Sequence, residues 1–322
     1  MKEQYNFTDI EYGQRRRKTK RDDFLEKMDK MVPWGEWAEI VKPYYPEGKR
    51  GRRPQEIELM LKMLLLQTWF NLSDEGVEDA IYDSYAMKQF MGIDFSNGEQ
   101  APDATTLCKF RKLLNDNGLQ KQLFEQISKM LADKGKMMQG GTIVDATIVE
   151  ASSSRKNEKK EKDPEMHSVK KNTKWYFGMR AHIGVDAGAG YVHSLAVTAA
   201  NEAEIKVAPG LLREDDKVVY GDAGYLKLEE YVKDGIERDY RINRQRGTFK
   251  RHYGDGMSYE FEKRLESRKS STRCKVEYAF HIVKDIFKWK KARYKGLAKN
   301  LSHAHMLFAS ANLYMCASSG GI

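Results

Sequence analysis

The hydrophobic pattern of this chain changes its period near residue 140, and that change limits the folds available to it. Before it, apolar residues recur at helical spacing, as Ile57, Leu61 and Leu64 do. After it come short β-branched runs such as TIVDATIV at 142–149. The chain is therefore predicted to form an all-α region followed by an α/β domain with a mixed sheet flanked by helices.

The predicted all-α domain spans residues 1–138. Pro54 is placed to open one helix, and Ser73 and Asp103 to cap two others. A fourth helix is predicted from about Leu119 to Ala132. Along the helix from Asp103, Leu107, Phe110 and Leu113 are expected to face the core. Polar neighbours that could read DNA bases are Thr105, Thr106, Lys109, Arg111 and Lys112.

The predicted α/β domain spans residues 139–322. Strands are expected at 142–149, 177–186, 191–200, 217–223 and 237–243. Helices are expected near 202–214 and 227–235, with two more towards the C-terminus. Two polar, charged segments interrupt the pattern, a basic loop at 152–174 that we expect to be mobile and an insertion at 245–272.

Composition narrows the class of protein. The net charge of +9 favours a polyanionic partner, although it does not require one. Three cysteines without CxxC spacing favour a reducing cytoplasm. No apolar stretch reaches the roughly 20 residues of a membrane span, so no membrane partner is expected. The motifs GxxxxGK[ST], HExxH and GxSxG are absent, which removes the support for an NTPase, a zinc protease or a serine hydrolase.

Two aspartates stand out because they belong to apolar strands. Asp145 lies in the middle of TIVDATIV, where an unpaired charge would cost several kcal/mol, so it needs a cation, hydrogen bonds or a proton. A structural ion pair with a lysine or arginine stays open for it. Asp222 ends the run KVVYGDAGY between Gly221 and Ala223. Those small neighbours leave room for a hydrated metal ion or a DNA backbone.

A third acid, Glu277, occurs in the stretch STRCKVEYAFHIVKDIFKWKK. The helix predicted there would take its N-cap from Ser270, Ser271 or Thr272. An ordinary solvated helix face stays open as the alternative. Successive residues of a helix are rotated by about 100°, so five residues of this stretch would share a sector of roughly 80° of the helix circumference. Glu277 would lie there among cationic or potentially cationic side chains, and the five residues are Arg273, Glu277, His281, Lys284 and Lys288.

Carboxylates on two strands and a helix suit two-metal phosphoryl transfer. Two ions about 3.5–4 Å apart activate the attacking oxygen and stabilise the leaving oxygen. Oxygen ligands without cysteine or histidine select Mg²⁺, with Mn²⁺ as a substitute, rather than zinc. The expected site therefore holds two Mg²⁺ ions on Asp145, Asp222 and Glu277.

The order of these motifs resembles a known family. TIVDAT, GDAGY, the pattern R-x3-E-x6-K at Arg273, Glu277 and Lys284, and the basic stretch KKARYKGLAKN resemble the DDE transposases of bacterial insertion sequences, specifically the insertion-sequence-five group. PDATTLCKFRKLL in the first half is similar to that group's N-terminal region. The resemblance implies an RNase H-like fold for residues 139–322 and Asp145, Asp222 and Glu277 as the metal-binding triad. One departure is Ser270, where the broader signature has a tyrosine.

The resemblance also implies an activity and partners. The implied activity is metal-assisted cutting of DNA at the element ends, followed by joining of the 3′-hydroxyl to target DNA. The partners would be double-stranded DNA, both terminal inverted repeats and target, and a second copy of the chain in a homodimer, with the bacterial nucleoid as the location. Two other readings stay open, an RNase H-like nuclease that cuts without joining and a non-catalytic DNA-binding repressor of transposition.

Several basic and aromatic residues are expected near the DNA. Trp175 and Tyr176 adjoin lysines, and packing against the sheet is favoured for them over stacking on an unpaired base. The basic arm at 15–21 could follow a DNA backbone or be disordered. Phosphate contact is expected from Arg273, Lys284, Lys288, Lys291, Arg293 and Lys295.

Overall fold

The computed structural model describes residues 17–48, 53–138, 140–154, 161–245, 252 and 256–319. The chain divides into two compact units, one up to Leu119 together with the residues from Cys316, the other Gln120–Met315. The predicted boundary after residue 138 marks where the sheet begins, whereas the compact units divide before the last helix that precedes it. Within the described part of the chain, no helix combines the length and apolar character needed to cross a bilayer.

The first unit is all-helical, as predicted. Ser73 Oγ accepts from the Gly76 amide, and Asp103 Oδ1 accepts from the Thr106 amide, so both predicted caps are confirmed. Its central helix, α3, is buried over most of its circumference, which an apolar run of this length favours. The helices are α1 Lys20–Met31, α2 Trp34–Val41, α3 Ile57–Phe70, α4 Asp74–Asp83, α5 Tyr85–Met91 and α6 Ala104–Asp116.

A partly buried ion pair, together with a hydrogen bond to Gln67, ties three of these helices together. Arg111 on α6 donates from Nη1 and Nη2 to the two carboxylate oxygens of Asp74 at 2.7 and 2.9 Å, and from Nη1 to Gln67 Oε1 at 3.0 Å. The guanidinium lowers the pKa of Asp74 to about 2. Leu107 and Phe110 are buried as predicted, whereas Leu113 is only half-buried. Arg111, a candidate base reader, is thus already engaged inside the unit.

The second unit is a mixed sheet with flanking helices, as predicted. In the sheet the strand order is β2-β3-β1-β5-β6, and β4 also pairs with β3. Strand β1 is antiparallel to β3 and parallel to β5, which is parallel to β6. The elements are α7 Leu119–Asp133, β1 Gly141–Glu150, β2 His167–Lys171, β3 Lys174–Asp186, β4 Val192–Ala199, α8 Glu204–Val207, β5 Val218–Gly221, β6 Asp239–Ile242, α9 Met257–Arg273, α10 Lys275–His281 and α11 Leu297–Ser318.

Both faces of the central strands are covered. On one face Val144, Val219 and Ile242, from three adjacent strands, pack against the segment around Leu211. Helix α11 is anchored to the start of β4 by Asn312, which exchanges two hydrogen bonds of 2.9 and 2.7 Å with the Val192 backbone. The sheet and the elements packed on it therefore hold the middle of β1 in a fixed position.

Two predicted helices are wrong. Instead of one helix at 202–214, the short α8 continues into a 3₁₀ turn at Ala208–Leu211, where Pro209 removes a backbone donor. Instead of a helix at 227–235 there is only a 3₁₀ turn at Leu228–Glu230. After that turn, the ion pair between Arg238 and Asp234 at 2.7 Å ties the chain in a loop.

The expected mobile loop at 152–174 is also wrong where the structure describes it. Residues 155–160 lie outside the described residues, but β2 and the start of β3 form an antiparallel hairpin there. Asp163 Oδ2 and Glu165 Oε2 accept from the Gly296 and Leu297 amides at 2.7 Å each, which ties this segment to the start of α11. Trp175 does not pack against the sheet, because it is 70% exposed.

The insertion at 245–272 contains helix α9 in its described part. Ser270, Ser271 and Thr272 lie in the last turn of α9, so they do not cap the next helix as predicted. Glu266 fixes α9 to the end of β6, since its Oε2 accepts from Asn243 Nδ2 at 2.9 Å. Helix α10 then begins at Lys275, directly after Cys274.

A substitution at Gly178 on β3 would test how closely β1 and β3 approach each other. A Cβ at Gly178 would stand 2.2 Å from Val149 O, a distance at which backbone has to move. We expect Gly178→Ala to lower the free energy of unfolding by about 3 kcal/mol. Gly210→Ala is the control, because a Cβ there meets nothing within 4 Å. Urea unfolding of both variants checks this, and equal midpoints would contradict the packing described.

Candidate active site

Asp145 lies in the middle of β1, with Ile183 of β3 as its backbone partner. Its side chain is only 14% exposed. Oδ1 accepts from the Ala146 amide at 2.8 Å, and Oδ2 lies 3.4 Å from Arg273 Nη1. The predicted partial burial of this carboxylate is confirmed, and a cation does stand beside it.

Asp222 follows directly after β5. Its Oδ1 accepts from the Gly224 amide at 2.8 Å and so caps the 3₁₀ turn Ala223–Tyr225. Gly221 has a packing reason to be glycine, since a Cβ there would lie 3.1 Å from both Ile242 and Tyr225. The sequence suggested that this glycine leaves room for a ligand. In the structure, the space beside it is filled by side chains of the protein.

Glu277 lies in the first turn of α10, and its side chain is 61% exposed. Arg273, the last residue of α9, directs Nη1 between two acids, at 3.4 Å from Asp145 Oδ2 and 3.5 Å from Glu277 Oε1. The break between α9 and α10 at Cys274 thus still leaves Arg273 and Glu277 in contact. One guanidinium bridges the strand acid and the helix acid.

The three predicted carboxylates line one open cleft of about 550 Å³ together with several cations. Lys288 of the predicted cationic sector does not line it. The helix is interrupted by a π turn at Ile282–Ile286, and Lys288 follows that turn with a left-handed φ of 62°. The lining residues are Asp145, Ala146, Thr147, Lys171, Asp222, Arg273, Glu277, Phe280, His281, Lys284 and Asp285.

The donor set suits a hard divalent cation, because it consists of carboxylate oxygens. However, in the described part of the chain no three acidic, histidine or cysteine side chains stand at the mutual spacing of a metal site. The guanidinium of Arg273 lies between Asp145 and Glu277 in this state. A metal ion bound between these two carboxylates would take its place.

The cleft perturbs the pKa of Asp145. The pKa of Asp145 rises from 3.8 to about 7 overall, mainly because the side chain is buried and in smaller part because of the neighbouring charges of Asp222 and Glu277. The Ala146 amide and the Arg273 guanidinium oppose these effects without cancelling them. Near neutral pH this carboxylate is thus poised between its neutral and charged forms, which is a property of functional sites more often than of structural ion pairs.

Lys284 is fixed against the end of β1. Its ammonium donates to Thr147 Oγ1 at 2.6 Å and to Ile148 O at 2.9 Å. Burial, and after it the charge of Lys171, lowers the pKa of Lys284. The backbone after the π turn then continues beside β1, because Glu150 bonds to Lys290 O and Ala292 N. Of the predicted phosphate contacts in that segment, Lys288, Lys291 and Lys295 are exposed, and Arg293 is half-buried.

Sequence reasoning missed Lys171 as a member of the cleft. It lies on β2, inside the segment expected to be a mobile loop. A signal was present in HSVKKNTKWYF, where Asn-Thr separates two short runs with strand-forming residues. It also missed the ion pair between Arg180 and Glu204 at 2.7 Å, on β3 and α8.

The fold and the cleft together define a class of protein: a mixed, RNase H-like sheet with carboxylates on its central strand and on a flanking helix. Residues 136–313 match the family described as a transposase DDE domain, and residues 14–113 match one described as a transposase domain (DUF772). Because the first match covers more than half of the chain, the chain belongs to the DDE transposase family, whose members are insertion-sequence enzymes.

The raised pKa of Asp145 makes a prediction about stability. Between about pH 4 and pH 7 the unfolded chain gives up this proton before the folded protein does, so the folded state loses stability as pH rises. In metal-free buffer Asp145→Asn should raise the free energy of unfolding by about 2–4 kcal/mol at about pH 8. The gain should shrink as the pH approaches about 4.

Denaturant unfolding across this pH range checks the prediction. Asp133→Asn is the control, because Asp133 is exposed at the end of α7 and its replacement should change little. A stability difference between Asp145→Asn and the parent protein that stays constant with pH would contradict the buried, charge-crowded setting described for Asp145.

Proposed function

We propose that this protein is a transposase of the insertion-sequence-five group that cuts DNA at the ends of its element and joins the freed 3′-hydroxyl to target DNA. The observation that carries the proposal is the shared cleft. Asp145, Asp222 and Glu277 are far apart along the chain and line it together with Arg273 and Lys284. Family membership supports the same reaction class.

The three carboxylates would hold two Mg²⁺ ions, with Mn²⁺ as a substitute. When bound, such ions supply activation of the attacking oxygen and stabilisation of the leaving oxygen of the phosphodiester. The fit rests on chemistry seen in the cleft, since all three donors are carboxylates and two of them already share a cation, the Arg273 guanidinium. Asp145 is shielded from bulk water, so it would hold its ligand in one orientation.

Other residues of the chain would bind and orient the DNA. Lys284 is locked onto the end of β1 and would present a fixed positive charge to the scissile phosphate. Arg273, released from Asp145, would turn to a neighbouring phosphate. The segment beside β1 would follow the backbone of the same DNA with Lys288, Lys291, Arg293 and Lys295.

The proposed reaction needs no covalent protein intermediate. Water cuts one phosphodiester at the element end and leaves a 3′-hydroxyl, whose oxygen then attacks a target phosphodiester and displaces a new 3′-hydroxyl. The partners would be the terminal inverted repeats and target DNA. The helical region at 1–138 would bind DNA or assemble a homodimer that brings two ends together, in the bacterial nucleoid.

Two rival functions make different products. A nuclease on the same fold would cut DNA or RNA without joining, and a repressor would bind the element ends without cutting. Incubation with Mg²⁺ and duplexes taken from the DNA that flanks the gene separates the three. Joined product supports a transposase, cleavage alone supports a nuclease, and binding alone supports a repressor.

Asp222→Ala tests the proposed acid site. We expect it to abolish cleavage and joining, by more than about a thousandfold, because one ligand of both steps is lost. DNA binding should persist, since the basic segment is unchanged. Glu229→Ala is the control, an exposed acid outside the cleft. Strand transfer by Asp222→Ala at the parent rate would refute the site.

Arg273→Ala tests the competition between guanidinium and metal. Without DNA, we expect the variant to bind Mn²⁺ about tenfold more tightly, because a competing positive charge leaves Asp145 and Glu277. With DNA, its cleavage rate should fall, since a phosphate contact is lost. Free Mn²⁺ measured by electron paramagnetic resonance gives the affinity independently of activity.

The matched control for that test is Arg268→Ala. Arg268 is exposed on the same helix, α9, and does not line the cleft, so the change in net charge is identical. If both variants bound Mn²⁺ as the parent does, Arg273 would not occupy the proposed metal position.

A further inference from the structure

The hairpin of β2 and the first residues of β3, here called the ribbon and defined as residues 167–178, is a separate surface feature of the second unit. Five backbone pairs from His167–Gly178 to Lys171–Lys174 hold it together. Asn172 turns the chain with a φ of 55°, in the left-handed region that asparagine tolerates. The ribbon tip is therefore ordered by its own backbone bonds.

The ribbon exposes one large aromatic side chain. All five tryptophans lie in the described part of the chain, and among them Trp175 alone is exposed, at 70%. Its directly opposed partner on β2 is Lys170, which gives it no apolar neighbour across the strands. A single exposed aromatic residue is ordinary on a protein surface, so its surroundings decide its meaning.

Those surroundings are basic. The ribbon sequence HSVKKNTKWYFG contains three lysines and no acid. Lys170, Lys171 and Lys174 are all exposed. The ribbon therefore presents an excess of positive charge to solvent, which favours a polyanionic partner.

The ribbon also reaches the cleft. Lys171 lines it together with Asp145 and Asp222, and its charge is felt by Lys284 on the opposite wall. Because directly paired residues share a face of a two-stranded ribbon, Lys171 and Lys174 lie on one face, and Lys170 and Trp175 lie on the other. One face of the ribbon therefore presents two lysines, and the opposite face presents the indole of Trp175 beside one lysine.

We infer that the ribbon is a wedge that separates the two strands of a DNA duplex next to the cleft. The face with Lys171 and Lys174 holds the backbone of the strand that enters the acid site. The face with Trp175 stacks on the first unpaired base of the other strand, which every base permits because each has a flat π surface. This inference rests on the proposed function, since it takes DNA as the substrate of the cleft.

The test uses the full-length protein and an element-end duplex whose cut site has been mapped with the parent protein. 2-Aminopurine is placed at each position next to the cut, where its fluorescence rises on unstacking. We expect the parent protein to produce this rise and to lose tryptophan fluorescence as its one exposed indole stacks. Trp175→Ala should lose both signals and cut the paired duplex about tenfold more slowly.

Restoring the activity of Trp175→Ala with an already opened duplex distinguishes a role of Trp175 in opening DNA from a role in the stability of the protein. A duplex with mismatches next to the cut is already unpaired, so it should restore most of the activity of Trp175→Ala, and Trp175→Phe should keep most of it on paired DNA. Tyr231→Ala, an aromatic residue that is 43% exposed and outside the cleft, is the control. Lys171→Ala should weaken binding of both duplexes equally.

The outcomes keep this inference apart from the proposed function. Cutting by Trp175→Ala at the parent rate, with an unchanged 2-aminopurine signal, would overturn the wedge and leave the transposase proposal standing. A parent protein that cuts no DNA with Mg²⁺ or Mn²⁺ would overturn the proposed function. If the mismatched duplex did not restore cutting by Trp175→Ala, the inference that the ribbon separates the strands would also be refuted.

Discussion

The burial of the Asp145 carboxylate in the middle of β1 is the constraint on which the second unit depends. β1 is the middle strand in the order β2-β3-β1-β5-β6, yet it carries an ionisable group into a largely buried position beside two other acids. One amide and one guanidinium offset part of that cost. The remainder appears as a raised pKa, which means that the fold leaves Asp145 in need of a proton or a stronger cation.

The sequence predicted those parts of the fold that are rich in apolar side chains. β1 was recognised as a β-branched run, and α3 was recognised from apolar residues at helical spacing. Helix α9 was missed because it has no buried residue, so no apolar stripe marks it. β2 was missed for the same reason, since four of its five residues are exposed and no alternation is present.

The sequence predicted three of the acids that line the cleft, but it predicted neither the geometry nor Lys171 as a further lining residue. An acid within or directly after an apolar strand is visible in sequence because it breaks a pattern, as Asp145 and Asp222 do. Gly221 shows the limit of prediction from sequence. A glycine indicates that other atoms come close, but it does not indicate whether they belong to a ligand or to the protein core. The bridge formed by Arg273 depends on the angle between α9 and α10 at Cys274, which no local pattern encodes.

Under the proposed function, the charges of the cleft would connect metal binding to DNA binding. Its lining holds the carboxylates Asp145, Asp222, Glu277 and Asp285 and the cations Lys171, Arg273 and Lys284, so with Asp145 protonated it is near neutral. Two divalent ions on the acids would make it strongly positive, and each DNA phosphate that enters would offset part of that charge. Linkage is reciprocal, so DNA would tighten metal binding by the same factor by which metal tightens DNA binding. Under the proposed function Arg273 would fit both states, because it contacts two of the acids here and would neutralise a phosphate after metal binding.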